Sequence, residues 1–306
     1  MRRHPRSRRG FVLLAVLWML TGVAILGLLL TVTSRDALGT ARNRINLTRA
    51  RWRAEGCVER AKASVEDAAS GRVISDSVWF GLDGLIARAR FTTGCTLSVR
   101  PAGLGIAVND ASVDELRALL AAAGVTSHEI DSLSAAILDW RDADDSARPD
   151  GAERDWYEAA GRVPPRNGDF SSLSELAMVR GLESRPDLVE LFSVERDRIF
   201  LARAPIPVLA VLPGMTSAVL ALIGQRRLAG DFTLDLQRLA ANASPDVSVG
   251  LLANTPRLAS LVTSQPEAWI ITSSASEGQP RVTARLELRV ARSGGRLAVL
   301  RRRSDR

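Results

Sequence analysis

The chain is poor in the residue types that most enzyme and metal sites use. Its 306 residues include two histidines, two cysteines and one tyrosine. His4 and His128 lie in no metal-binding or catalytic-triad pattern, and the sequence contains no Gly-x-Ser-x-Gly or phosphate-loop motif. We therefore expect no enzymatic activity and no catalytic residues.

The two cysteines, Cys57 and Cys95, leave two possibilities open. In an oxidising compartment such as the periplasm they would form one disulfide. Alternatively they are two free, partly buried thiols, because the sequence gives no distance between them.

Charge is absent from Phe11 to Ser34, and proline is absent between Pro5 and Pro101. An apolar helix of this length spans a hydrocarbon core of ~30 Å at ~1.5 Å per residue. The run is too long for the apolar core of a signal peptide, and no Ala-x-Ala follows it. We predict a single-pass membrane helix over 11–34. A helical continuation over 35–70 should end near Gly71.

Basic residues surround the predicted membrane helix. The leader, residues 1–10, is rich in arginine and favours a cytoplasmic N-terminus, although Arg35, Arg42 and Arg44 lie on the other side. The net charge of +7 fits membrane flanks and solvated helix faces better than a nucleic-acid site. We expect an inner-membrane protein with a periplasmic C-terminal head and no nucleic-acid partner.

The continuation of the first helix carries apolar residues that predict a stripe facing the globular head. These residues are Ile45, Leu47, Trp52, Cys57, Val58 and Ala61.

The period of the hydrophobic pattern changes twice beyond residue 71. Two short strands are predicted over 90–100 and 105–109, with Pro101-Ala102-Gly103 as the turn between them. Helical patterns then continue to about Leu261, after which strand patterns return. This order predicts an α+β fold with a long N-terminal transmembrane helix and a small antiparallel sheet. Residues 71–110 and 264–306 supply the sheet and a basic tail, and a large all-α domain, 111–263, is inserted between them.

The start of the helical block has a clear local signature. Ser112 is a predicted N-cap, and Glu115 completes a capping box three residues later. Gly124 is the predicted helix stop.

Five carboxylates crowd into residues 142–153, and these are the candidate metal ligands: Asp142, Asp144, Asp145, Asp150 and Glu153. Counted from Asp142, ligand-capable groups fall at loop positions 1, 3, 5, 7, 9 and 12, which is the spacing of a calcium loop. Ala147 and Pro149 depart from a true EF-hand. The alternative is a surface loop neutralised by arginines, namely Arg141, Arg148 and Arg154.

The junction Gly10-Phe11 resembles the type IV prepilin processing site, in which a basic leader ends in Gly before a charge-free helix. The resemblance implies that prepilin peptidase cuts after Gly10 and that Phe11 becomes the methylated N-terminus. Most pilins and pseudopilins carry Glu five residues into the mature chain, where this sequence has Ala15. A subunit at a filament tip has no need of that Glu, because no neighbouring terminal amine must be paired.

Nearly the whole chain resembles the K-type minor pseudopilins of type II secretion systems. The residues that carry the resemblance are Asp139-Trp140, the acidic loop at Asp142, Asp144 and Asp145, Gly151-Ala152-Glu153 with Tyr157, Pro164-Pro165, and Ser174-Glu175-Leu176. Two positions depart from the pattern: Arg154 stands where an acid often occurs, and 106–109 is less Asn-rich than usual. The resemblance implies a pseudopilin fold with structural calcium in the inserted domain. It also implies a subunit that initiates pseudopilus assembly with minor pseudopilins I and J and supports export across the outer membrane.

A membrane-anchored DNA-binding protein of the competence type is the alternative function. The segments 170–182 and 207–227 resemble helix-hairpin-helix units. A phosphate-binding hairpin needs Gly-x-Gly, so that backbone N–H groups approach the oxygens closely. The two hairpins begin at Gly181 and Gly214 and lack the second glycine, and Glu183 would repel phosphate, which favours packing motifs.

Overall fold

The computed structural model describes residues 9–70, 94–231, 233–293 and 296–304, with side chains of the first helix from Val12 to Ala63. The helices are α1 Arg9–Ser70, α2 Val113–Ala122, α3 Ser127–Arg141, α4 Arg154–Ala159, α5 Leu173–Leu176, α6 Pro186–Val189, α7 Ile206–Ala210, α8 Ser217–Leu228, α9 Leu236–Ala241 and α10 Pro245–Leu258. The strands are β1 Cys95–Pro101, β2 Ile106–Ala107, β3 Phe192–Ser193, β4 Ile199–Phe200, β5 Val262–Thr263, β6 Ala268–Glu277, β7 Val282–Ser293 and β8 Arg296–Ser304.

Helix α1 runs without interruption for 62 residues. Its N-terminal part is long and apolar enough to cross a membrane, with a mean hydropathy of 2.6 in an 18-residue window that is entirely unburied. The predicted helix stop, Gly71, lies outside the described residues, and the described helix ends at Ser70.

The C-terminal part of α1 packs against an antiparallel sheet of order β1-β6-β7-β8. Small residues on one face of α1 are buried there, including Ala54, Val58 and Ala61, against Trp269 and Leu288 among others. Small side chains allow the helix to approach the sheet closely, and the sheet contributes the larger apolar side chains.

The predicted apolar stripe on α1 is correct for Cys57, Val58 and Ala61 but wrong for two larger residues. Trp52 is 69% exposed and Ile45 is 52% exposed. At about 100° per residue, Trp52 and Ile45 lie about 200° and 180° around the helix from the buried Ala54. The face that packs on the sheet is therefore built from small residues, and the large ones point away.

A block of short helices lies between β1 and β6 along the chain, with a hydrophobic core of its own. The predicted all-α character of 111–263 is wrong in one respect, because this range contains the two-residue strands β3, β4 and β5. The two predicted strands around Pro101 are present but do not form a hairpin with each other. β1 pairs with β6, whereas β2 pairs in parallel with β3. The chain therefore leaves the sheet at Gly103, whose carbonyl accepts a hydrogen bond from Phe200 N at 2.8 Å.

The predicted helix signals at the start of the block are confirmed. Glu115 N donates to Ser112 Oγ at 3.2 Å, and Ser112 N donates to Glu115 Oε2 at 2.8 Å. Gly124 has φ of +80°, just beyond α2, in the conformation that glycine tolerates best.

Buried ion pairs join the sheet to the helical block. Arg289 on β7 pairs with Asp197, and their side chains are only 14% and 13% exposed. The same guanidinium contacts Glu195 at 2.6 Å, and Glu195 also pairs with Arg301 on β8 at 2.6 Å. This network ties the loop before β4 to the outer face of the sheet.

Candidate metal centre and processing site

Three carboxylates converge where the acidic loop leaves α3. Asp139, Asp142 and Glu153 each offer an oxygen, and these oxygens lie within 4.8 Å of one another. Asp139 is in the last turn of α3 and Asp142 caps it, so their three-residue spacing places both on one face. Glu153 is the N-cap residue of α4 and returns the chain to the same point.

Asp139 is the fully buried member of the cluster. Its Oδ2 accepts a hydrogen bond from Ala152 N at 2.9 Å, and its Oδ1 accepts one from Arg148 Nη1 at 2.7 Å. Gly151 lies against the same carboxylate so closely that a Cβ there would overlap Oδ2. The loop therefore folds tightly around Asp139, and glycine at position 151 is what allows it.

Buried carboxylate oxygens in the cluster lack partners among the described residues. They are both oxygens of Glu153 and Oδ1 of Asp142. Burial, together with the charges of Asp139 and Asp142, raises the pKa of Glu153 to about 7. A buried ionised carboxylate without a partner is costly, and a cation placed among these oxygens would offset that cost. The donors are all oxygens, which are the ligands that calcium prefers.

Arg148 supplies part of the compensating charge. Its Nη1 donates to both Asp139 and Asp142, so this arginine bridges the two carboxylates but leaves Glu153 unpaired. The other two loop arginines are engaged elsewhere. Arg141 donates to the carbonyls of the segment before α2, and Arg154 lies 3.6 Å from Asp145. Neutralisation of the loop by arginine is therefore incomplete.

The cluster gathers two of the five predicted ligands, Asp142 and Glu153. The others lie outside it: Asp144 Oδ1 accepts from Ser146 N at 2.8 Å, Asp145 Oδ1 accepts from Asn167 Nδ2 at 2.9 Å, and Asp150 is exposed with φ of +61°. Sequence reasoning missed Asp139 as a ligand because it lies in a helix before the loop. Its three-residue spacing from Asp142 was the signal that could have found it.

Aromatic residues wall the loop on its inner side. Trp140 contacts Tyr157 edge-on at 5.2 Å and stacks on Phe170 at 6.2 Å between ring centroids. Arg180 links this wall to the loop, because its backbone N donates to Tyr157 Oη and its Nη1 donates to the Gly151 carbonyl, both at 2.9 Å. Burial raises the pKa of Tyr157. The aromatic cluster is thus connected to the loop through Arg180.

The two cysteines meet at the junction of helix and sheet. Cys57 on α1 and Cys95 at the start of β1 form a disulfide, with Cα atoms 6.7 Å apart. The bond closes a loop across a sequence separation of 38 residues. It fixes the first strand of the sheet to the helix on which the sheet packs.

The predicted processing junction lies at the start of α1. Gly10 and Phe11 belong to the first turn of the helix, while residues 1–8 of the leader lie outside the described residues. Ala15 follows within the apolar segment, where the side chains that the structure describes are exposed.

In the two hairpins that resemble DNA-binding units, other groups of the protein occupy the space at the glycine turn. Gly181 N donates to Glu183 Oε2 at 2.8 Å, so a carboxylate occupies the place that a phosphate would take. A Cβ at Gly181 would overlap Leu133, and one at Gly214 would overlap Asn254. Both turns are packed against neighbouring helices.

Residues 96–186 match the family described as type II secretion system (T2SS), protein K. The match covers 91 of the 306 residues, and over these residues the chain is similar to the type II secretion protein K family. The matched segment begins in β1, ends at α6 and contains the whole carboxylate cluster. Among curated protein sequences, none matches this chain.

The fold has a solved counterpart. A chain in the crystal structure of the GspK-GspI-GspJ complex from the enterotoxigenic Escherichia coli type 2 secretion system aligns with a TM-score of 0.55 at 15% identity. The alignment covers 87% of this chain and 99% of that chain. At this identity the similarity shows the fold, and the predicted α+β pseudopilin fold is confirmed.

Proposed function

We propose that this protein is a minor pseudopilin that occupies the tip of the type II secretion pseudopilus. It initiates assembly of the pseudopilus together with minor pseudopilins I and J and so supports protein export across the outer membrane. The observation that carries the proposal is the family match of residues 96–186, because these residues form much of the helical block set into a pseudopilin sheet.

The single helix α1 supports the membrane part of the proposal. It passes from an unburied apolar segment to a face packed on the sheet without a break. A helix that is continuous from bilayer to head can be drawn out of the membrane as a rigid unit. Prepilin peptidase would release it after Gly10, leave a methylated Phe11 and keep the head in the periplasm.

Two features support a position at the tip. Ala15 stands where most pilins and pseudopilins carry Glu, so this chain lacks the carboxylate that would pair with a preceding subunit's terminal amine. The helical block adds about 150 residues to the small pseudopilin sheet, counting from α2 to β5. Such a block would obstruct the addition of another subunit above it.

Pseudopilins I and J are the proposed partners because the similar structure is that of a complex of GspK with GspI and GspJ. The shared fold supports the same partners for this chain.

A structural calcium ion is part of the proposal. Asp139, Asp142 and Glu153 would hold it, since their converging oxygens form a hard-cation donor set and those of Glu153 and Oδ1 of Asp142 have no partner among the described residues. A bound cation would offset the repulsion among the three carboxylates and stabilise the loop. The residues themselves close the loop around Asp139, which is fully buried.

The test of the proposed function is complementation. The gene for this chain is deleted from its host, and the full chain is then expressed from a plasmid. Secreted proteins are measured in the medium of both strains. Complex formation is measured by co-purification of pseudopilins I and J with the chain. The proposal predicts lost secretion in the deletion strain, restored secretion with the full chain and a stable complex with I and J. Normal secretion without the chain would overturn it.

A further inference from the structure

A cleft lies between the outer face of the sheet and the helical block. Its volume is about 640 Å³, which is within the usual range of ligand pockets. The floor is the face of the sheet that is turned away from α1, and residues of α5 and α6 line the opposite wall. The segment 102–105, over which the chain crosses from β1 to β2, also lines the cleft. We call it the crossing segment.

Arg100, near the end of β1, lines this cleft without a partner. Its side chain is half-buried, yet it forms no ion pair and donates no hydrogen bond to any described residue. Burial lowers the pKa of Arg100, and the charges of Glu287 and Glu190 offset only part of this effect. Arg289, on the same floor, is in contrast paired with Glu195. A desolvated cation without a partner is costly, so an anion beside Arg100 would be stabilising.

The backbone of the crossing segment offers three more donors. Within the part of the chain that the structure describes, nothing accepts a hydrogen bond from the N–H of Gly103, Leu104 or Gly105, whereas Ala102 N donates to the Ala268 carbonyl at 2.8 Å. Both glycines are buried, and buried backbone N–H groups nearly always have an acceptor. Gly103 has φ of +75°. Successive N–H groups around a left-handed residue form a concavity that binds anions.

Close packing explains why the two positions are glycine, but it does not supply an acceptor. A Cβ at Gly103 would overlap the Arg198 carbonyl oxygen, and a Cβ at Gly105 would overlap the backbone of Phe192. Substitution of either glycine would therefore disturb the fold, and a test of the donors must leave both in place.

The other residues of the cleft favour a carboxylate over a phosphate. Glu287 and Glu190 line it as well, and their charges repel a dianion more strongly than a monoanion. The guanidinium fork matches the two oxygens of a carboxylate. Half-buried apolar side chains also line the cleft, namely Leu104, Leu173 and Ala177. A peptide end fits this combination, because it joins one carboxylate to a last side chain that can be apolar.

We propose that this cleft binds the C-terminal carboxylate of another polypeptide whose last side chain is apolar. Arg100 pairs with the carboxylate, and the N–H groups of 103–105 donate to its oxygens, which is a known mode of peptide-end capture. Glu190 and Arg285, which also line the cleft, are exposed, so a chain end can enter from the surface. The site does not depend on the proposed position at the pseudopilus tip.

The first test uses the full chain in detergent and peptides fixed to beads through their N-termini. The peptides vary at their last three residues and are made in two sets, one with a free C-terminal carboxylate and one with a C-terminal amide. The chain should be retained by acid-ended peptides with an apolar last residue. The most strongly retained peptide should bind about tenfold or more weakly as its amide. Equal binding of acid and amide, or no retention by either set, would overturn the inference.

The second test assigns the binding to Arg100. Fluorescence polarisation with the labelled best peptide should show that Arg100→Gln weakens binding about tenfold or more. Arg281→Gln makes the same charge change at an exposed position outside the cleft and should alter binding less than about twofold. Arg100→Lys keeps the charge but loses the fork, so its affinity should be intermediate.

Two outcomes separate this role from the alternatives. Arg100→Gln should not lower the urea concentration at the midpoint of unfolding, because Arg100 has no partner to lose; a lower midpoint would show a structural arginine and overturn the inference. Sodium acetate and inorganic phosphate should compete for the peptide site with similar, weak potency. Displacement by phosphate at a much lower concentration than by acetate would show a phosphate site instead of a carboxylate site.

Discussion

Gly151 lies against the buried carboxylate of Asp139 so closely that a methyl group would overlap Oδ2. We predict that Gly151→Ala lowers the free energy of unfolding by about 1–3 kcal/mol, because the loop must open to admit the extra atom. The matched control is Gly168→Ala, where an added Cβ meets nothing within 4 Å. The control should change stability by less than about 0.5 kcal/mol in urea unfolding. Equal effects of the two substitutions would contradict the tight fold of the loop.

Calcium should raise the melting temperature of the full chain in detergent relative to excess chelator. Binding to the folded state alone contributes about 2.7 kcal/mol at a hundredfold excess over the dissociation constant. Magnesium should do less, because it gives up its water ligands reluctantly. Identical melting curves with calcium and with chelator would show that the cluster does not bind calcium.

Glu153→Gln should act in opposite directions with and without calcium. The pKa of Glu153 is raised from 4.5 to about 7, first by burial and then by Asp139 and Asp142. Well below pH 4.5, Glu153 is protonated in both the folded and the unfolded state, so it does not change the free energy of unfolding. As the pH rises towards 7 the unfolded chain ionises first, so the folded state loses stability. The full cost, at most about 3 kcal/mol, is reached above pH 7.

The substitution removes that cost, so in chelator it should stabilise the protein at pH 8 and change little at pH 4.5. It should also reduce the stabilisation by calcium, because a ligand is lost. The exposed Asp150 provides the control Asp150→Asn, which should leave both responses unchanged. A variant that is destabilised in chelator at pH 8 would show that Glu153 has a partner that the structure does not reveal.

Loss of the disulfide should loosen the head from α1. The double variant Cys57→Ser/Cys95→Ser frees a loop with a sequence separation of 38 residues, which the chain-entropy relation values at about 4 kcal/mol. Urea unfolding under oxidising conditions measures the difference. Dithiothreitol should lower the stability of the parent chain by a similar amount and leave the variant unchanged; a parent chain insensitive to dithiothreitol argues against the bond.

The packing of the helical block against the sheet should depend on Arg289. Arg289→Ala leaves Asp197 and Glu195 without their shared cation, and Asp197 is 13% exposed. Removing one partner of a buried ion pair costs about 3–5 kcal/mol, and the second carboxylate adds to the repulsion. Limited proteolysis should then separate the block from the sheet more readily. Arg281→Ala, in the turn between β6 and β7, is the control and should leave the cleavage pattern unchanged.

Local signals were predictable from the sequence, and contacts distant along the chain were not. The Ser112–Glu115 capping box and the stop at Gly124 depend on residues a few positions apart, so the pattern contained them. The partner of β1 is β6, more than 160 residues later, and no local pattern identifies it. Likewise, Trp52 faces solvent because the sheet packs against the small residues on the opposite side of α1.

The metal cluster shows the same division. The loop composition predicted the region of the cluster. The ligand positions counted along the sequence, however, included Asp144 and Asp150, which lie outside the cluster in the folded loop. Asp139 belongs to the cluster because α3 ends beside the loop, and its position follows from the helix rather than from the loop spacing.

The most direct test of the account is the intact mass of the chain recovered from inner membranes. A pseudopilin processed at the Gly10-Phe11 junction should lack residues 1–10 and begin with methylated Phe11, and Gly10→Val should retain the leader and abolish secretion. A mass beginning at Met1 in cells that contain prepilin peptidase would contradict the account.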